Sequence, residues 1–248
     1  MGKELLFEIG TEEIPSGYLP PALEDLRTLA SRLLAEQRLT FAELRTLGTP
    51  RRLTLFVDGL IERQADQRRE VVGPPKAVAF DAEGKPTKAA EGFARAQGVP
   101  VDSLQVRALD RGEYLVAVQE EKGARTREIL VTLLPKLITA LSFPKFMRWG
   151  EGTFRFVRPI RWLLAVYGGR VVPFEVDGLK TGMKTYGHRF LAPRGTRIRS
   201  FQEYLDTLEE RFVIVDPVRR RELVRTLAAE AAAAVNGQPV LDGALVET

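Results

Sequence analysis

Apolar and polar positions alternate along this chain with two different periods, and the switches between them mark out its elements. Leu5-Leu6-Phe7-Glu8-Ile9, closed by Gly10-Thr11, has the pattern of a buried strand. Leu19, Leu23, Leu26, Ala30, Leu33 and Leu34 then recur at helical spacing to about Gln37, with Pro20-Pro21 where a first helical turn accepts proline. Leu53, Leu55 and Val57 alternate as a strand after the Gly48-Thr49-Pro50 turn, so the opening predicts a strand–helix–strand–strand unit. Gly73-Pro74-Pro75 punctuates the chain, and 76–87 has the composition of a loop. Lys88–Gln97 is a short helix stopped by Gly98-Val99-Pro100. Leu104–Leu109 and Tyr114–Gln119 flank Asp110-Arg111-Gly112 as a hairpin. Ile129, Leu130, Leu133, Leu134, Leu137, Ile138 and Leu141 form one broad stripe on a long helix that Pro135 should kink.

Further on, Trp162–Tyr167 and Arg170–Val176 flank Gly168-Gly169, a two-residue hairpin signal. Ser200-Phe-Gln-Glu203 is a capping box opening a helix with Phe201, Tyr204, Leu205 and Leu208 inward. Phe212–Val215 reads as a short strand, and Asp216-Pro217 starts a last helix that ends near Asn236-Gly237. The expected fold class is therefore α+β (mixed α/β), with two small sheet-plus-helix domains. Residues 1–61 with 143–248 make one, and 62–142 is inserted into it or packs against it.

Length and composition narrow the options. The chain has 248 residues, 44% hydrophobic and 28% charged, enough for real cores and too apolar for bulk disorder. The longest apolar run, around Ile129–Leu141, is broken by Thr132, Pro135, Lys136 and Thr139 and falls short of a membrane span. Met1-Gly2-Lys3-Glu4 leads directly into a strand, with no secretory apolar region. There is no cysteine, which excludes disulfides and thiolate metal sites and fits a reducing cytosol. A cytoplasmic location is the expectation. The net charge is +4, but residues 143–199 carry 12 basic and 3 acidic side chains, a local +9. Flanking segments 1–49 and 200–248 are acidic, at −3 and −4. A localised positive field of this kind either meets a polyanion or is a solvated basic face.

Candidate chemistry concentrates in that segment. Cations interleave with aromatics through Phe143-Pro-Lys-Phe-Met-Arg-Trp-Gly150 and on through Phe154-Arg-Phe-Val-Arg-Pro-Ile-Arg-Trp162. If 154–162 is extended, Phe154, Phe156, Arg158, Ile160 and Trp162 share one face, and Arg155, Val157, Pro159 and Arg161 the other. Guanidinium groups two residues apart can address successive phosphates, and aromatics can stack on unpaired bases. The competing reading makes the aromatics core, with arginines lying along them. Lys145, Arg148, Arg155, Arg158, Arg161, Arg189 and His188 are the candidate RNA contacts, with help from Arg51 and Arg52. Gly150-Glu-Gly152-Thr-Phe-Arg155 loosely matches a nucleotide-binding signature but lacks the apolar helix it needs, so it is read as coincidence. His188, as the sole histidine, cannot build a zinc site or a hydrolase triad without further partners. Glu8, Glu12 and Glu13 offer carboxylates near a strand end, either for acid–base work or as dipole partners of the following helix. No catalytic residue and no metal site are assigned.

Five strings in order resemble one family, the bacterial glycyl-tRNA synthetase β subunit of the two-subunit type. They are Leu5-Leu-Phe-Glu-Ile-Gly-Thr-Glu-Glu-Ile-Pro15, Thr49-Pro-Arg-Arg-Leu53, Phe143-Pro-Lys-Phe-Met-Arg-Trp149, Arg158-Pro-Ile-Arg-Trp162 and Gly187-His-Arg-Phe190. Phe146 stands where the family pattern has a small polar residue. The resemblance covers about the first third of the family's subunit and implies that an HD-type and an anticodon-binding domain follow. It implies tRNA(Gly) and the α subunit as partners in a heterotetramer, with neither DNA nor membrane involved. It also implies that glycine activation with ATP and Mg occurs on the α subunit, this portion being inactive alone. Two rivals stand beside tRNA binding: a scaffold for the α–β assembly, and a hydrolytic or editing domain built on Glu12, Glu13 and His188.

Overall fold

The computed structural model describes residues 2–109, 112–149, 152–243 and 246. In chain order the first elements are β1 (Lys3–Thr11), α1 (Leu19–Glu36), β2 (Glu43–Thr49) and β3 (Arg52–Leu60). Next come β4 (Gln67–Pro75), α2 (Lys76–Ala79), α3 (Lys88–Gln97), β5 (Gln105–Leu109), β6 (Gly112–Glu121) and α4 (Thr126–Ala140). The short strands β7 (Met147–Arg148) and β8 (Arg155–Phe156) precede β9 (Ile160–Tyr167) and β10 (Arg170–Val171). Two small ladders follow, β11 (Glu175–Val176) with β12 (Leu179–Lys180), and β13 (Lys184–Tyr186) with β14 (Gly195–Arg197). The helices α5 (Phe201–Glu210) and α6 (Pro217–Ala234) close the sequence of elements. The class is mixed α+β, as the periodicities require.

The chain divides into two compact units, 1–63 with 125–248 and Gln64–Ala124. The insert is thus shorter than the expected 62–142, because α4 belongs to the first unit. Its Leu130, Leu134, Leu137 and Ile138 are buried in one cluster with Leu26, Ala30 and Leu34 of α1. Its first turn is tied to the same unit by the Thr126 hydroxyl, which donates to the Ile61 carbonyl. The helix runs unbroken past Pro135.

The first unit is built on an antiparallel sheet in the order β10-β9-β1-β3-β2. β1 is central and buried continuously from Leu5 to Thr11. Leu5, Phe7 and Ile9 face α1 and α4, joined by Leu53, Leu55 and Val57 of β3 and Leu163, Ala165 and Tyr167 of β9. Leu6, Phe56, Leu164 and Val166 face the other way, against Phe201, Tyr204 and Leu208 of α5. Phe56 and Phe201 stack there with ring centroids 3.7 Å apart. The sheet is therefore sandwiched between helices, and every second residue of β1 belongs to a different core.

Local chemistry explains where this unit departs from the sequence expectation. Gly168 and Gly169 both take positive φ, 54° and 73°, as a tight hairpin between β9 and β10 requires. The second strand of that hairpin stops at Val171 instead of Val176, since Pro173 has no N–H to donate to a ladder. The expected strand Phe212–Val215 does not form; instead the Val215 carbonyl accepts from Gly48 N at 3.0 Å. Ser200 caps α5 by accepting from Glu203 N, while the Glu203 carboxylate accepts from Arg199 N, a shifted version of the capping box. The helix α6 is capped at its start, where Asp216 accepts from Val218 N and Arg219 N, and it buries none of its residues. The second unit is a three-stranded sheet, β4-β6-β5, with α3 and the short α2 enclosing a small core of Ala79, Ala90 and Leu115. Helix α2 falls in the stretch expected to be loop. Of the expected β5–β6 turn, Asp110 and Arg111 lie outside the described residues.

Candidate nucleic-acid interface

The sheet register brings three unusual residues into one row. Gly10 of β1 pairs with Arg52 of β3 on one side and with Trp162 of β9 on the other. A Cβ on Gly10 would lie 1.9 Å from the Trp162 ring, so glycine is what lets that ring lie across β1. The Arg52 guanidinium reaches over the same gap and sits 5.6 Å from the Trp162 ring centroid.

Two residues back along β1, on the same face, Glu8 is fully buried and collects donors. Its Oε1 accepts from Trp162 Nε1 at 2.5 Å and from the Thr185 hydroxyl at 2.8 Å. Its Oε2 accepts from the Tyr204 hydroxyl at 2.5 Å and faces Arg52 at 3.5 Å. Tyr204 in turn accepts from Thr54 at 2.7 Å. Burial, followed by the Glu8 charge, pushes the Tyr204 phenol well above its ordinary range, which keeps the proton it donates. Arg52 completes the frame by donating to the Tyr186 carbonyl at 2.8 Å. A charge pair with 0% and 2% residue exposure is costly to desolvate and persists only because so many partners surround it. It fixes β1, β3, β9, β13 and α5 to one another.

This geometry corrects the expected contact set. Arg52 is buried and committed to Glu8, Thr185 and Tyr186, so contact with RNA is closed to it. Four other candidates are engaged around the turn after β1. Glu12 meets Arg161 at 3.3 Å and Arg51 at 3.5 Å. Glu13 meets Arg189 at 2.5 Å, while its carbonyl accepts from Arg158 Nε at 2.9 Å. The two glutamates thus clamp arginines, and no helix dipole needs to be invoked for them. His188 Nδ1 accepts from the amides of Phe190 and Leu191 at 3.3 Å each, so the ring caps its own turn. It stands half-buried, and among the described residues no carboxylate pairs with it as the hydrolytic reading would need.

The remaining three candidates are different. Lys145, Arg148 and Arg155 are exposed, and among the described residues no carboxylate stands at ion-pair distance from any of them. Arg148 and Arg155 lie directly opposite one another on the β7–β8 ladder. The aromatics between them behave as core: Phe143 packs edge-on to Phe146 and Phe156, and Trp149 Nε1 donates to the Phe156 carbonyl. The single extended stretch expected over 154–162 is broken, because Phe156 and Val157 are both buried in succession and the strand restarts at Ile160. Gly150 and Glu151, which open the loose glycine signature, lie outside the described residues. Among the described residues no three His, Cys, Asp or Glu side chains gather as a metal site. No helix among them is long and apolar enough to cross a membrane.

These features define an α+β module that presents guanidinium groups around a rigid, buried charge frame. Comparison with known proteins is specific: the chain belongs to the glycyl-tRNA synthetase beta subunit family, whose match covers residues 5–248. It is 53% identical over 237 residues to the glycine--tRNA ligase beta subunit of Desulforudis audaxviator, covering 96% of this chain and 34% of that protein. It is 46% identical to the protein of the same description from Syntrophus aciditrophicus, over all of this chain and 36% of that protein. The Moorella thermoacetica counterpart is also 46% identical, with the same coverage. The chain therefore spans about a third of the length of these curated relatives.

Proposed function

We propose that this chain contributes tRNA binding and α-subunit docking to a two-subunit ligase that attaches glycine to tRNA(Gly) in an ATP-dependent reaction. In this reading glycine activation, with its ATP and magnesium, takes place on the separate α subunit. Family membership supports the reaction, and the β7–β8 ladder supports the tRNA contact. Like charges placed opposite one another destabilise an antiparallel pair. A phosphate received between Arg148 and Arg155 converts that cost into charge-assisted hydrogen bonds, with Lys145 nearby in sequence as a third cation. Folded RNA is recognised largely through its backbone and shape, so no base-reading motif is required.

A photo-reactive phenylalanine analogue in place of the exposed Met147, next to Arg148, tests this in the full two-subunit enzyme. Irradiation should join the β subunit to tRNA(Gly). Joining to the α subunit alone would favour the second reading, in which the chain organises the assembly without touching RNA. One observation favours that reading: Phe190 and Phe212, 74% and 63% exposed, line one groove, and Leu191 next to Phe190 is 64% exposed.

A further inference from the structure

Beside the buried frame lies a cavity of about 270 Å³, and we propose that it is a subsite for a single nucleotide unit, phosphate plus base. Two sources can supply that chemistry, an unpaired nucleotide of an RNA strand or a free mononucleotide. The strand source rests on the tRNA-binding reading above; the cavity itself does not.

The lining carries both halves of the recognition. Arg51, Arg161 and Arg189 surround the cavity, and the rings of Trp162 and Tyr186 form its wall with centroids 4.9 Å apart. Guanidinium groups match phosphate oxygens in a planar fork, and aromatic faces accept bases of any sequence. The carboxylates meeting these three cations are two, Glu12 and Glu13, which leaves one positive charge in excess. Arg51 offers a more specific sign. Its terminal nitrogen faces Glu12 at the long distance of 3.5 Å, so the end of the Arg51 fork keeps donor capacity for an anion in the cavity. The two side-chain carboxylates already show what the fork accepts, since carboxylate and phosphate present the same paired oxygens.

The buried charge frame gives the wall its rigidity. Glu8 holds Trp162 by its indole N–H, and Arg52 holds Tyr186 by its carbonyl. An apolar core of the same volume would be no less stable than a buried ion pair. What the pair supplies is placement: the Trp162 ring and the backbone that carries Tyr186 are fixed before any ligand arrives, which lowers the ordering cost of binding. The volume is that of one small ligand, so the subsite fits one nucleotide and cannot admit a duplex.

The test uses the full-length β subunit without α, so that the ligase's ATP site contributes nothing. Calorimetric titrations compare uridine 5′-monophosphate, a 5′-phosphorylated tetrauridylate and inorganic phosphate. Preference for the tetranucleotide identifies the strand as the source, and equal binding of the mononucleotide identifies a free nucleotide. Both support the subsite. The double variant Arg161→Ala/Arg189→Ala, whose side chains are 61% and 43% exposed, should keep its unfolding temperature and bind the preferred probe at least roughly tenfold more weakly. Phosphate binding as tightly as the nucleotides would overturn the base half of the assignment. No binding of any probe, or binding that the double variant leaves unchanged, would overturn all of it. A variant lacking Lys145, Arg148 and Arg155 should lose tRNA affinity yet keep the tetranucleotide, which separates failure of this subsite from failure of the hairpin contact.

Discussion

At the scale of single residues, the chain's least expected feature is a carboxylate in the middle of its most apolar strand. Glu8 interrupts Leu5-Leu6-Phe7 and Ile9; in the sequence it reads as a carboxylate near a strand end, and in the structure it is fully buried on the Leu6 face of β1. That signal was legible, but its meaning depended on partners 44 to 196 residues away, which no local pattern announces. Arg52 shows the same limit. Thr49-Pro-Arg-Arg looks like a cationic turn, yet the strand begins at Arg52, so Arg51 stays in the turn, half-buried, while Arg52 enters the strand and is buried. Removing one member of the pair should expose its worth. Glu8→Leu leaves the Arg52 guanidinium buried without its counter-charge and should cost about 3–5 kcal/mol in urea unfolding. The double variant Glu8→Leu/Arg52→Met should be more stable than Glu8→Leu alone. A Glu8→Leu protein as stable as the parent would mean that this network is not formed. Tyr167 illustrates the milder case, its phenol donating to the Leu60 and Ile61 carbonyls while burial pushes it up to about 12.

At the scale of elements, periodicity located most of the helices and strands, and turn chemistry decided where it failed. Lys88–Gln97 was read from its spacing and its glycine stop, and Gly98 does take the left-handed conformation there. The β9–β10 hairpin was read from its two glycines but overextended, since Pro173 ends the ladder. The +9 segment was visible in composition, but sequence could not say which cations were already taken. Glu12 and Glu13 come from the first turn of the chain, and they claim arginines from 51, 161 and 189. Helix α6 had a clear start and stop and still conceals a difference in kind. Its first turn is tied by Arg220, which donates to the Gly48 and Ile214 carbonyls, but none of its eighteen residues is buried. Helices gain most of their stability from packing. Amides from about 224 to 234 should therefore exchange by local opening, orders of magnitude faster than those of β1 and β9, in hydrogen-exchange measurements of this chain. Equal protection would show that the helix has a partner surface.

At the scale of the whole molecule, two units divide the work of folding, and the insert ends at Ala124 because the long apolar helix after it completes the first unit's core. The sequence placed that helix correctly but assigned it to the wrong unit, as a broad apolar stripe does not name the surface that covers it. The cationic surface likewise resolves into a clamped group around Glu12 and Glu13 and an open group on the β7–β8 ladder, and the open group carries the proposed contact with tRNA. Its signature is electrostatic. Each phosphate neutralised contributes about −0.9 to the slope of log affinity against log salt, so three contacts imply a roughly 40-fold loss between 50 and 200 mM. The decisive measurement is the salt dependence of tRNA(Gly) binding by the full two-subunit enzyme, with and without Lys145→Ala, Arg148→Ala and Arg155→Ala together. The triple variant should bind more weakly and show a slope smaller by about 2.7. An unchanged affinity and slope would contradict the account.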